Sequence, residues 1–267
     1  MSTLDEAMLA SPALDPATVI ADLESGAVRA AEPDPSAPDG WRVRPEVKAA
    51  ILALFTDRAT RDWAVGPFTY RDRAALPPRD LSDGPWRIVP GGTSVRAGAF
   101  LGDGVVILPP SYVNVGAWVG AGTMVDSHVL VGSCAQIGTG VHLAAGVLVG
   151  GVLEPPGARP VIVEDDAFVG AGTALLDGVL VGRGAVIGAG VSLTGTSRLF
   201  DLTTDEVLSG TTDRPLAIPP GAVVVPGARR LAGRFAEDHG LSIATAIVVK
   251  RRDPGTDARV ALETALR

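Results

Sequence analysis

From Val95 to Val149 an aliphatic residue stands at every sixth position without a gap: Val95, Leu101, Ile107, Val113, Val119, Val125, Val131, Ile137, Leu143 and Val149. The series resumes as Val163, Val169, Leu175, Val181, Ile187 and Leu193. A period of six fits neither an α-helix nor a plain strand. It fits a chain that turns a corner every six residues, three corners to a coil. The pattern predicts a triangular prism of short parallel strands, with residues 18 apart stacked directly, at roughly 4.8 Å per coil. Strands this short cannot stand alone, so stacking must close the ladder and bury the inward column.

Each unit reads aliphatic–small–x–Gly–small–x. In Val119-Gly120-Ala121-Gly122-Thr123-Met124, Val119 and Thr123 are expected to point inward, and Gly120 and Gly122 to take the tight corner conformations. Between Val149 and Val163 the spacing is 14 instead of 12, and residues 152–160 (VLEPPGARP) hold three prolines. That segment cannot continue a ladder and is expected to loop outward, either as a tolerated insertion or as a functional arm.

The flanks lack the period. Residues 1–86 read as a small helical N-terminal domain. Asp15-Pro16 supplies a cap and first-turn proline for a helix to about Glu24, before Gly26. Residues 31–40 read as loop. Pro45 opens a second helix through Val47, Ala50, Ile51 and Leu54, and residues 71–84 form a connector. The prism is assigned to 87–198. Residues 199–267 are a mixed C-terminal cap, with strands at Ala222–Val225 and Ile243–Lys250 and a closing helix at Asp257–Leu266. Such a cap covers the unpaired edge that a solenoid end exposes.

Composition narrows the function. Aromatic residues make up 4% of the chain, so layers of Val, Ile, Leu and Ala must fill the core. The net charge is −7, with two lysines (Lys48, Lys250) and no basic block, which argues against nucleic-acid binding. The single Cys134 excludes an internal disulfide and suits a reducing, cytoplasmic setting. Met1 to Asp15 lacks the apolar stretch of a signal peptide, and no run of 18 apolar residues predicts a membrane span. No Walker loop, nucleophile elbow or metal-ligand spacing occurs, and no metal is expected.

The candidate chemistry is therefore a few single residues. Asp126 and Asn114 stand where half of the units have glycine; each is either a tolerated corner residue or a ligand. His142 precedes Leu143 and should point outward, solvated or beside a neighbouring subunit. Arg87, at the entry to the prism, suits a carboxylate by bidentate pairing. Lys250, Arg251 and Arg252 are either a solvated strand end or a pocket for cofactor phosphates. Glu154, Glu164 and Asp165 flank the outward loop and either order it or face substrate.

The repeat resembles that of the hexapeptide acyltransferases, which implies a left-handed parallel β-helix. The segments WRIVP, LPPSYVNVGAWVGAGTMVDS, VGSCAQIGTGVHLAAGVLVGGVLEP and AIVVKRRD are similar to the signature of the tetrahydrodipicolinate N-succinyltransferases, and the likeness extends over nearly the whole chain. The resemblance implies transfer of a succinyl group from succinyl-CoA to an amine, in lysine and diaminopimelate biosynthesis. It also implies a homotrimer with sites in the grooves between adjacent prisms. By position, Arg87 and Asp126 match the family's substrate-binding residues, with Asp126 on the acceptor amine. Gly188, Ala189 and Gly190 match the stretch along the pantetheine arm, and Lys250 the cofactor end. No acyl-enzyme is needed, so Cys134 is not expected to be a nucleophile. Two positions depart from the family. Ala174 stands where a glutamate is usual, and His128 stands where an aromatic follows MVD-[ST]. Both fall in the acceptor half. EPPGARPVIVEDDAFVGAG also resembles the related N-acetyltransferases, which leaves acetyl-CoA, a different acceptor, or an inactive binding module as alternatives.

Overall fold

The computed structural model describes residues 14–260. Its centre is the expected left-handed parallel β-helix with three faces. The first face stacks strands Arg87–Ile88, Val106–Ile107, Met124–Val125, His142–Leu143, Phe168–Val169 and Val186–Ile187. The second runs from Ser94–Val95 through Leu130–Val131 to Ser192–Leu193, and the third from Phe100–Leu101 through Gln136–Ile137 to Ala217–Ile218. Register follows the 18-residue coil, with Val119 level with Leu101 and Ile137.

The physics of one unit repeats along the prism. Its aliphatic residue is inward and buried, as in Val119, Ile137 and Leu143 at 0% exposure. Removing one such side chain (Leu143→Ala) costs about 2–5 kcal/mol. The residue after it is pressed against the next coil; a Cβ on Gly120 would lie 2.5 Å from the Gly138 carbonyl carbon. The left-handed backbone comes two residues later, with Gly122 at φ 64°. So Gly120 is small because it is crowded, and only Gly122 takes the positive-φ conformation expected of both. The inward Thr123 hydroxyl donates to Gly138 O (2.8 Å) and accepts from Val141 N (3.1 Å), which satisfies two backbone groups at the corner.

The N-terminal segment carries the two expected helices, Val19–Ser25 and Pro45–Thr56. The first ends at Gly26 in the left-handed conformation, φ 78°. It starts later than Pro16 suggests, after Asp15 O has accepted from Thr18 N and Val19 N. Two hairpins add to these helices: Ala31–Pro33 with Trp41–Val43, and Thr60–Val65 with Phe68–Arg73.

The outward loop joins this segment to the prism. Buried Lys48 donates to Pro155 O (3.2 Å) and Ala158 O (2.8 Å). Arg159 donates to Gly178 O (2.9 Å), Pro215 O (2.8 Å) and Leu216 O (3.1 Å), and pairs with Asp39. Val47, Ile51 and Leu54 pack on Val115 and Cys134 at the corner between the second and third faces. Residues 152–160 are thus an anchor for the N-terminal segment.

Beyond Leu193 the coil adds Ala217–Ile218 on the third face and Val223–Val224 on the first. Ala222–Arg230 then pairs antiparallel with Ser242–Arg251, so the cap extends the first face into a ten-stranded sheet. A helix over Pro254–Val260 follows; the rest of the expected closing helix lies outside the described residues. No described helix is long and apolar enough to cross a membrane.

Candidate functional site

The corner between the first and second faces gathers most of the predicted residues. Asp126 occupies it in one coil, and Gly188, Ala189 and Gly190 occupy it three coils higher, roughly 14 Å away at the usual strand spacing. Between them the corner holds Ala144-Ala145-Gly146 and Gly170-Ala171-Gly172. Backbone bonds of 2.9 Å stack these coils, from Gly146 N to Ser127 O, Gly172 N to Ala145 O and Gly190 N to Ala171 O. The corner is therefore a smooth rail of alanine and glycine that ends at Asp126.

Asp126 is fixed at this end. It is half-buried, its Oδ1 accepts from Ser127 N (2.7 Å), and its carbonyl accepts from the Ser111 hydroxyl (2.7 Å). Its second carboxylate oxygen has no hydrogen bond from the described residues. The tolerated-corner reading fails for Asp126 and for Asn114, because neither has a positive φ. The left-handed place in the unit of Asp126 belongs to His128, at φ 61°, and in the next to Cys134, at φ 64°.

The other predicted residues lie along the same ten-stranded sheet. Arg87 is exposed on the first face, level with Val106 and then Met124, two coils below the row of Asp126. Lys250 sits in the cap part of the sheet, on the third strand from the opposite edge, level with Val223 and then Val186. Its ammonium already pairs with Asp253 at 2.7 Å, and with Thr256 it holds that carboxyl well below the usual range. Its neighbours are structural. Arg251 pairs with buried Asp201 (2.7 Å), and Arg252 donates to Asp166 O (2.7 Å) and Gly184 O (3.1 Å). Two of the three basic residues are thus committed to holding the cap.

Two expectations about outward residues need correction or assignment. His142 does point away from the core, yet it is 8% exposed and packs edge-on against Phe168, ring centroids 5.0 Å apart. Outward on a stacked face means flanked by the coils above and below, and large neighbours cover it. Glu164 and Asp165 order the corner between the third and first faces. Glu164 accepts from Trp41 Nε1 (2.9 Å) and Arg183 N (2.8 Å); Asp165 accepts from Thr139 N (2.8 Å) and pairs with Arg183 (2.8 Å). Glu154 stays exposed on the loop. Cys134 is buried, and burial pushes its thiol up to about 12, which suits packing and not nucleophilic attack.

Ala174 lies on the second face, level with Leu148 and Ser192, so no acid occupies that place. Near Asp126, a recess of about 340 Å³ opens on this face, lined by Ser94, Tyr112 and His128 among others. A second groove, of about 460 Å³, lies between the N-terminal segment and the third-face corner. Sequence reasoning missed it. There Arg29 stacks on Trp118 (3.8 Å to the ring centre), Phe100 stacks on Trp118 (3.7 Å), and Arg29 Nε donates to Gln136 (3.0 Å). Burial lowers the Arg29 guanidinium to about 10. The available signal was Phe100 and Trp118 one coil apart in outward positions.

A family model described as the hexapeptide repeat of succinyl-transferase matches residues 160–195. A 2,3,4,5-tetrahydropyridine-2,6-dicarboxylate N-succinyltransferase of Aromatoleum aromaticum is 40% identical over 256 residues, covering 94% of this chain and 88% of the relative. Its namesake in Pseudoalteromonas translucida is 41% identical over 250 residues, covering 92% and 85%. A crystal structure from Campylobacter jejuni, named for 2,3,4,5-tetrahydropyridine-2-carboxylate N-succinyl transfer, has a TM-score of 0.52 at 18% identity. The likeness covers 88% of this chain and 63% of that one, and at this identity it bears on the fold alone.

Proposed function

The chain belongs to the 2,3,4,5-tetrahydropyridine-2,6-dicarboxylate N-succinyltransferase family, and from that premise we propose that it moves an acyl group from coenzyme A to the amine of a dicarboxylate acceptor. Succinyl-CoA is the donor and the opened form of tetrahydrodipicolinate the acceptor, in lysine and diaminopimelate biosynthesis in the cytoplasm. The observation that carries the reading is the rail of small residues ending at one carboxylate. A flexible thioester arm needs a path free of side chains, and Gly188, Ala189 and Gly190 begin that path. Lys250 reaches the cofactor end by exchanging Asp253 for a phosphate.

The chemistry needs few groups. The amine and the thioester carbon must meet in one cleft, so most of the rate comes from positioning. The amine must be neutral to attack. The unsatisfied oxygen of Asp126 accepts an N–H from it and points its lone pair at the carbonyl carbon. Arg87 pairs with an acceptor carboxylate. The tetrahedral oxyanion then collapses, the C–S bond breaks, and the thiol leaves with the amine's proton. No covalent acyl-enzyme forms.

The clefts lie between prisms of a homotrimer. Apolar outward residues on the second face, Leu130 and Leu148, with Leu148 44% exposed, support a neighbouring prism there. Ala174 favours a second reading. With no acid in that place, the acceptor half accommodates a different amine, or acetyl-CoA serves as donor. Mass spectrometry after incubation with tetrahydrodipicolinate and either succinyl- or acetyl-CoA tests both. A succinylated product is expected; an acetylated product alone moves the donor, and no product with either, despite coenzyme A binding, moves the acceptor or leaves an inactive binding module.

A further inference from the structure

We propose that His128 is the base that takes the acceptor's proton in this chain; the proposal rests on the acyl-transfer reading above. The corner rail supplies the first argument. Above Asp126, three successive corners carry only alanine and glycine. Where the rail ends, two side chains with proton-transfer chemistry stand on one corner, Asp126 and His128. Asp126 spends one oxygen on Ser127 N and so serves as an orienting group. His128 is exposed, its backbone is held by a bond to Pro110 O (2.8 Å), and no described side chain hydrogen-bonds to its ring.

The backbone supplies the second argument. His128 is in the left-handed conformation, φ 61°, at a place where the next three coils have Gly146 (72°), Gly172 (68°) and Gly190 (73°). Glycine is what the corner favours, and a histidine there carries a conformational cost. Residues kept in costly conformations concentrate at functional sites. The third argument is the recess. His128 lines a cavity of about 340 Å³ on the second face, the face on which Ala174 provides no acid. Tyr112, from the strand below, is the one other titratable group in the recess lining, which is otherwise uncharged; Asp126 stands on the same corner as His128, outside that lining. An amine seated in the recess meets the imidazole on its wall.

The step balances. The acceptor nitrogen attacks the thioester carbon, forming the C–N bond. His128 takes the proton that nitrogen sheds. When the tetrahedral intermediate collapses, the C–S bond breaks, and the imidazolium returns the proton to the departing thiolate. The products are an amide and free thiol, and the imidazole is again neutral.

The test uses the full chain and two variants that both suit a left-handed corner, His128→Gly and His128→Asn. Both are expected to fold, with a Tm for His128→Gly at or above that of the parent. Both should lower kcat/KM roughly 10²-fold and flatten the acid limb of its pH profile. Added imidazole should restore turnover to His128→Gly, and not to Asp126→Asn. Turnover within twofold of the parent in both variants, or a loss that imidazole does not relieve, overturns the role of His128 and leaves acyl transfer standing. No product from the parent itself overturns the acyl-transfer reading, and this one with it.

Discussion

At the scale of the residue, crowding and backbone conformation explain different small positions. Gly120 must be small because of the coil above it, and Gly122 must be glycine-like because of its φ of 64°. The sequence shows glycine in both places, so pattern alone merged two causes and put Asp126 in the wrong one. The correction sharpens its prediction. Because Asp126 is not in the left-handed region, Asp126→Asn should leave Tm unchanged within about 0.5 kcal/mol of stability, while kcat/KM falls at least 10²-fold. Unchanged turnover would return Asp126 to a structural role. Arg87→Ala should raise KM for the dicarboxylate acceptor about tenfold, or 1.4 kcal/mol, and leave KM for the acyl donor near its parent value. Lys48 makes a different kind of prediction. Burial lowers its ammonium from 10.5 to about 8. Between those pH values the unfolded chain binds more protons than the folded one, so this group adds stability as pH rises. Cys134 opposes it, since its raised value costs stability as pH climbs above 9. Comparing the parent with Lys48→Met isolates the lysine. The parent should gain on the order of 2–3 kcal/mol relative to the variant from below pH 8 to about 10.5, read by urea melts. A difference that stays flat across that window would contradict the burial argument.

At the scale of the element, the prism was legible and its attachments were less so. A strict period of six names the inward column, the stacking register and the break at 152–160 with little ambiguity. The hairpin Thr60–Val65 with Phe68–Arg73 was not legible, because both its faces are mostly exposed and no apolar–polar alternation marks it. The loop's job was also hidden. Its proline count says that it leaves the ladder, and only Lys48 and Arg159, distant in sequence from their partners, say what it holds. The corner rail lies between these cases. Its small residues are visible one by one, but their alignment on one edge follows from the 18-residue register. A bulky side chain on that edge is a direct probe. Ala171 is exposed on the corner, so Ala171→Phe should leave the fold intact. It should raise KM for the acyl donor about tenfold, or 1.4 kcal/mol, with KM for the acceptor little changed. An equal rise for both substrates would mean that the edge does not guide the donor.

At the scale of the whole molecule, one sheet carries the working parts. Arg87 marks one end of the ten-stranded first face and Lys250 lies in the cap part of the same sheet, on the third strand from the other end, with Asp126 and the Gly188–Gly190 stretch on the corner where that sheet turns. A rigid stacked sheet keeps these distances fixed, which positioned transfer between two bound substrates requires. Among the described residues the N-terminal segment packs on other corners, and the cap meets this one only at its upper end, where Val224 and Pro226 lie over Gly188. If neighbouring prisms complete the cleft, the protein should sediment as a trimer, and dilution to monomer should abolish turnover. The most direct measurement is a crystal structure of the protein with coenzyme A soaked in. The account predicts the pantetheine arm along the exposed Ala189, Ala171 and Ala145 with its sulfur beside Asp126. Coenzyme A seated elsewhere, for instance in the Arg29–Trp118 groove with the corner empty, would contradict it.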